Sequence, residues 1–290
     1  MLAWLLNALA QGSMIALVAL GYTMVYGVLR LINFAHSEVL MMSAYVAFFV
    51  DDRLLGGYAR GGHRGVIIST LVAIVAASAL GVAIEAVAYR PLRARAKGPT
   101  ARIAPLVTAI GVSTLLQALA QLLFTATPQR FDPRLAPPAW VVIVAAAVVM
   151  IGLHFLVSFT WVGKAMRAVA VNAEAARLMG INPSNIIVLT FGVGSALAAV
   201  GAVLYSTTQA SIEPTMGTAI GTLAFVAAVV GGIGSVPGAM LGGVLLGVLG
   251  EMVKVTRFAG MKDAIVFALL VVVLLVKPAG LLGSARIEKV

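Results

Sequence analysis

Long apolar runs, free or nearly free of Asp, Glu, Lys and Arg, alternate with short polar connectors along the whole chain. They cover residues 1–29, 32–50, 66–88, 103–127, 139–159, 186–208, 214–250 and 264–276. A helix needs about 20 residues to cross the hydrocarbon core of a bilayer, and several runs reach that length. An outer-membrane barrel would need short strands with a period of two, which is absent here. The pattern predicts an all-α polytopic membrane protein, a bundle of eight or nine transmembrane helices. The count turns on 214–250, which is long enough for nearly two spans but carries "VVGGIGSVPGAMLGG" in its middle. Glycines and a proline there stop an unbroken helix. Either the run crosses twice, or a half-helix at 217–230 enters and returns. Non-helical backbone at membrane depth is tolerated where protein surrounds it, so the second reading is preferred. A broken or re-entrant segment is thus expected near 217–238.

The first run has no basic n-region and no clear cleavage site, and is read as a retained span. Composition agrees with the class: 61% of 290 residues are hydrophobic and 10% charged, against about 25% charged in soluble domains. Mean hydropathy is +1.07. A net charge of +10 would suit nucleic acid on a soluble face, but the basic residues lie between apolar runs. The positive-inside rule is the better account: the expected surroundings are membrane lipid, with no nucleic acid. Arg90, Arg93, Arg95, Lys97 and Arg102 form a connector without an acidic residue, which places it in the cytoplasm. Lys164, Arg167, Glu174 and Arg177, two spans on, agree. Residues 51–64 and 128–138 then fall outside, Arg30 inside and the N-terminus outside; the side of the C-terminus stays open. Residues 1–290 are read as a single transmembrane domain.

Enzyme chemistry finds little support. Cysteine is absent, which excludes disulfides and thiolate sites. His36, His63 and His154 are too scattered for a metal cluster. The Gly163-Lys164 pair is followed by Ala165 and has Ser158 where a phosphate loop needs glycine. "GGIGSVPG" lacks the third glycine in register and the soluble strand-turn-helix context of a dinucleotide fingerprint. Gly217/Gly221, Gly238/Gly242 and Gly243/Gly247 are spaced four apart, as close helix packing in membranes prefers. A moving gate at Gly231, Gly232, Gly234, Pro237 and Gly238 is the alternative for that cluster.

The polar stretch "NAEAARLMGINPSN" (172–185) stands between two apolar runs. Its alanines favour a short helix, Glu174 and Arg177 can pair across a turn, and Gly180 is suited to end it. It spells E-A-A-x-x-x-G: Glu174, Ala175, Ala176 and Gly180. Permease subunits of ABC importers carry such a loop. "GSMIALVALGYTMVYGVLRLINFAHSEVLMMSAY" (12–45), "VGKAMRAVAVNAEAARLMGIN" (162–182) and "AAVVGGIGSVPGAMLGG" (227–243) resemble the signature blocks of the LivH-type branched-chain amino acid ABC transporter permease subunits, and the resemblance spans essentially the whole chain. Ser37 stands where that family usually has glycine.

The resemblance implies a division of labour. Two related permease subunits form the pathway in the bacterial inner membrane, and two ATP-binding cassette subunits hydrolyse ATP with Mg. A periplasmic substrate-binding protein delivers leucine, isoleucine or valine. This chain would bind no cofactor, and the loop at about 161–185 would couple it to the ATPase through Glu174, Ala175, Ala176, Arg177 and Gly180. Urea or short-amide permeases share much of the pattern, so that substrate class remains an alternative. A self-sufficient secondary transporter would need charged groups near the midplane, and few occur.

"RLINFAHSE" is the polar exception within the spans. Intramembrane ionisable residues default to functional hypotheses, so Asn33, His36 and Glu38, with Tyr22 and Tyr26 four apart on the preceding helix, are expected to line the pathway or meet the partner permease. A satisfied buried cluster, with Asn33 as N-cap, is equally open. Glu85 is expected to snorkel at the inner boundary, His154 to be packed or interfacial, and Glu213 to mark an outer loop.

Overall fold

Leu2–Leu29 forms one unbroken helix, α1, in which every residue from Gly12 to Val25 is buried. A helix apolar on all sides belongs inside a bundle, and the rest of the chain packs around it. The structure, a computed structural model, describes residues 2–95, 100–124, 126–208 and 211–283. Lys97 and the last seven residues lie outside the described residues.

The helices that follow are α2 (His36–Phe49), α3 (Gly57–Arg60), α4 (Gly62–Ile84), α5 (Arg90–Arg95), α6 (Thr100–Leu123), α7 (Ala139–Phe159), α8 (Trp161–Val171), α9 (Ala173–Leu178), α10 (Pro183–Thr208), α11 (Met216–Gly231), α12 (Val236–Lys254) and α13 (Lys262–Val276). Two π-helical turns, Val50–Leu54 after α2 and Glu85–Tyr89 between α4 and α5, continue their helices with a shifted register. Seven helical stretches are long and apolar enough to cross a membrane. The shorter apolar α11 makes an eighth among the described residues, and α2, mostly buried, packs against α4, α10 and α11.

Small residues decide who touches α1. Gly243 and Gly247 of α12 lie against the backbones of Ala16 and Gly12, and Gly12 lies against Val244. Without side chains in the way the two backbones meet, as small-residue stripes in membranes allow. On its other side α12 sets Gly238 and Gly242 against Gly231 and Ala227 of α11. The glycine spacing thus produces close packing on two faces of one helix. α10 packs between α1, α2 and α4, while α6, α7 and α13 turn large apolar side chains outward.

The segment near 217–238 is broken, as expected, at 232–235, where Gly232 (φ +111°) and Gly234 (φ +91°) adopt a conformation that side chains resist. It is broken rather than re-entrant. Ile212, just before α11, pairs with Gln129 of the connector between α6 and α7, whereas Gly234 lies against Gly27 near the far end of α1. The ends of α11 therefore sit at opposite ends of the bundle. After α13 the Leu281 and Leu282 amides donate to the Val230 and Gly231 carbonyls, both at 2.8 Å. Residues 281–282 thus cover the glycine turn at the basic end, opposite the start of α1, where the Trp4 indole donates to the Glu251 carbonyl.

Candidate functional site

Two places on the molecule combine polar chemistry with deliberate geometry. The first is α9 at the basic end. Asn172 sits in extended conformation and its Oδ1 accepts from the amides of Glu174 and Ala175, both at 3.0 Å, capping the first turn. Gly180, at φ +81°, ends the helix: its amide donates to the Arg177 carbonyl and that of Ile181 to Ala176, each at 3.0 Å. This is the Schellman arrangement, in which a left-handed residue closes the last turn. Ala176 is buried and roots the helix, while Glu174, Ala175, Arg177 and Gly180 are exposed. Among the described residues no ion pair joins Glu174 to Arg177, so the caps and the buried Ala176 hold this short helix.

Leu178 and Met179 at its tip are 89% and 82% exposed. Apolar side chains so bare at the end of a capped helix had no distinct signal beside the E-A-A pattern; only their place in a polar loop marks them. Immediately before α9, α8 begins with a Thr160 cap, and Gly163 lies directly against the Val157 carbonyl. The Arg167 guanidinium donates to the Val157 and Ser158 carbonyls at the end of α7. α8 also touches α1 and α10, so α9 is mounted on a piece that is itself fastened to the bundle.

The second place is a cavity of about 220 Å³ between α2, α6 and α11. Tyr22, Glu38, Ser113, Thr218 and Thr222 supply its polar wall, and Phe34, Ile110 and Phe225 its apolar one. Glu38 is 1% exposed. Its Oε1 accepts from Gln117 (3.1 Å), Thr218 (3.2 Å), Ser113 (3.3 Å) and Ser37 (3.4 Å). Gly217 and Gly221 allow this: a side chain at either would collide with Glu38 or Ser37. Ser37 fits its departure from glycine by donating to the Phe34 carbonyl at 2.7 Å.

The other residues singled out in the sequence divide. Tyr22 and Glu38 line the cavity, while His36 stands behind Tyr22 with ring centroids 4.8 Å apart and its ring against Gly21. Asn33 faces elsewhere; its Oδ1 accepts from the Tyr89 hydroxyl at 2.8 Å and from the Ala35 amide at 3.1 Å. Ala35, not Asn33, occupies the cap position of α2. Tyr26 lies near Gly234, away from the cavity. Gly231, Gly232, Gly234, Pro237 and Gly238 form the α11–α12 turn, where Ser235 caps α12. Glu85, expected to snorkel, is instead fully buried and pairs with Arg93 and with Arg90 (3.4 Å). A buried carboxylate at a π turn depends on those partners, since water does not reach it. His154 is exposed on α7, edge-on to Phe159. Ser113, Gln117, Thr218 and Thr222 were missed, although polar residues four apart in an apolar helix do point to a common face.

A bundle of membrane-length apolar helices that encloses a buried carboxylate, with a capped polar helix exposed at one end, defines a polytopic integral membrane protein. The chain belongs to the family described as branched-chain amino acid transport system / permease component, whose model matches residues 4–274. It is 43% identical to the high-affinity branched-chain amino acid transport system permease protein BraD of Pseudomonas aeruginosa, over 99% of this chain and 97% of that one. It is 39% identical to LivH, the permease protein of the same kind of system in Escherichia coli K12, over 98% and 96%. A more distant relative is the ribose import permease RbsC of the same organism, at 25% over 92% and 83%.

Proposed function

We propose that this chain is the membrane-spanning permease subunit of an ATP-driven importer of branched-chain amino acids in the bacterial inner membrane. The observation that carries the substrate class is 43% and 39% identity over nearly the whole length to two permeases named for those amino acids, against 25% to one named for ribose. The whole chain acts as one permease domain beside a second, related permease. Two ATP-binding cassette subunits hydrolyse ATP, with Mg, and a periplasmic binding protein delivers the substrate.

The work of each part follows from its shape. Residues 161–185 face the ATPase, and Leu178 and Met179 offer exposed apolar surface beside Glu174, Ala175, Ala176, Arg177 and Gly180, of the kind that a partner protein covers. Motion of α9 passes to α8 and from there, through Gly163 and Arg167, to the end of α7 and to α1 and α10. The pathway runs along the face that carries Tyr22 and Glu38. His36 and Asn33 brace that segment from behind and Tyr26 borders the glycine turn, which serves as the bend between α11 and α12. A wall of hydroxyls and one carboxylate holds a passing ligand without the dense contacts of a tight site, which suits a conduit.

The test is uptake into proteoliposomes holding this chain, its partners and the binding protein, with ion gradients collapsed. Leucine accumulation that requires ATP is the expected result. Urea uptake in its place would replace the substrate class, and loss of uptake on collapsing the gradients with ATP present would overturn the machinery.

A further inference from the structure

We infer that the cavity between α2, α6 and α11 is a transient seat for the ammonium group of the transported amino acid, with the Glu38 carboxylate as its counter-charge. This assignment rests on the proposed import of amino acids and names the chemistry by which the pathway receives them.

The asymmetry of Glu38 carries it. All four donors that reach the carboxylate converge on Oε1, whereas the equally buried Oε2 has no hydrogen-bond partner. Donors of this kind suit an anion, and a buried anion ordinarily has an opposite charge beside it. Among the described residues no lysine, arginine or histidine forms an ion pair with Glu38. The adjacent His36 ring turns away, toward Tyr22 and Gly21. Oε2 is enclosed beside Gly217, but the carboxylate itself lines a cavity, and the fitting partner for its charge is a mobile cation.

The walls narrow the class of cation. No group of three His, Asp or Glu side chains that could hold a metal occurs among the described residues. A cavity of about 220 Å³ holds roughly seven waters at the ~30 Å³ each takes in the liquid, the scale of a small amphiphile. A primary ammonium brings three donors to the wall that Glu38, Thr218 and Thr222 form. Phe34, Phe225 and Ile110 offer the branched side chain an apolar surface. Among the described residues that line the cavity there is no lysine or arginine for the substrate carboxylate, so only one end of the ligand is held. Ile110 and Thr218 at the cavity edge are exposed, which opens the seat toward the face where a second permease would complete the pathway.

The chain has no cysteine, so Thr222→Cys puts one thiol in the cavity wall. In the full complex, with cysteine-free partners, that thiol is reacted with ethylammonium and ethylsulfonate methanethiosulfonates. The expected cation-to-anion rate ratio exceeds that of a free thiol by roughly tenfold or more, as focusing by a charged cleft produces, and falls close to the free-thiol ratio when Glu38→Gln is added. Glu38→Gln, isosteric but uncharged, is expected to cut ATP-driven leucine uptake per assembled complex by roughly tenfold, with partial recovery in Glu38→Asp. A ratio like that of a free thiol in Thr222→Cys alone, or uptake by Glu38→Gln within about twofold of the parent, overturns the seat. Absence of ATP-driven leucine uptake by the parent complex, with the labelling preference intact, would instead overturn the importer reading and leave a cation seat standing.

Discussion

Gly180 shows how much one backbone angle carries. Nothing lies within 4 Å of where its side chain would be, so glycine is required there by its φ of +81° and not by space. A β-branched residue in the left-handed region costs about 1–2 kcal/mol, comparable to the roughly 1 kcal/mol of the Asn172 cap at the other end. Gly180→Val is therefore expected to leave the protein in the membrane but to fray α9, lowering both co-purification of the ATPase subunits and leucine uptake. Leu178→Asp, which leaves the Asn172 cap and the Gly180 closure in place, should lower co-purification at least as much. Normal recovery of the ATPase subunits with both variants would refute the docking role. The caps were legible because Asn and Gly have local reasons to stand at helix ends. Leu178 and Met179 were not, since exposure is decided by where the fold leaves a side chain. Glu85 was misjudged for the same reason: its ion partners sit on the following turns, but its burial comes from neighbouring helices.

At the scale of elements, two glycines of similar appearance in the sequence differ completely in the structure. Gly247 lies against the Gly12 backbone at the α1–α12 crossing, whereas Gly111 on α6 has nothing within 4 Å of its missing side chain. Gly247→Leu must push two backbones apart, and overpacking of that kind costs about 3 kcal/mol. Gly111→Ala removes a helix-interior glycine and should gain roughly 0.5–1 kcal/mol. Yield and the thermal midpoint of the purified protein check the pair: the first is expected to fall sharply, the second to rise or hold. Equal behaviour of both would mean that the crossing is looser than its geometry. Helices of this kind are easy to find in sequence, because charge-free runs report them, and the break at Gly232 was visible from its glycines. The π turns were not, since a slip from i+4 to i+5 bonding is imposed by what packs against the helix. Nor was the start of α2, which lies buried in the bundle at His36 rather than at its surface.

At the scale of the whole molecule, the proposed function gives docking and transmission to separate residues, which mutation should part. On that proposal α9 is the docking surface and α8 the lever: Gly163 lies against the Val157 carbonyl and Arg167 reaches the Val157 and Ser158 carbonyls, tying α8 to the end of α7. A side chain at Gly163 would strike the Leu156 and Val157 carbonyls, which are backbone and cannot swing aside. α8 would have to lift from α7 while α9, fastened by its own caps and by Ala176, keeps its outer face. Disturbing an element that both sites bias typically changes coupling by about 0.5–2 kcal/mol. Gly163→Leu is therefore expected to keep the ATPase subunits bound and ATP hydrolysis running while uptake per ATP falls by up to roughly tenfold. Leu178→Asp is expected to lose the subunits themselves. If both variants instead lose them together, α8 and α9 form one docking surface and the lever does not exist. If Gly163→Leu transports normally, the force from the ATPase enters the bundle through α10, which α9 also touches.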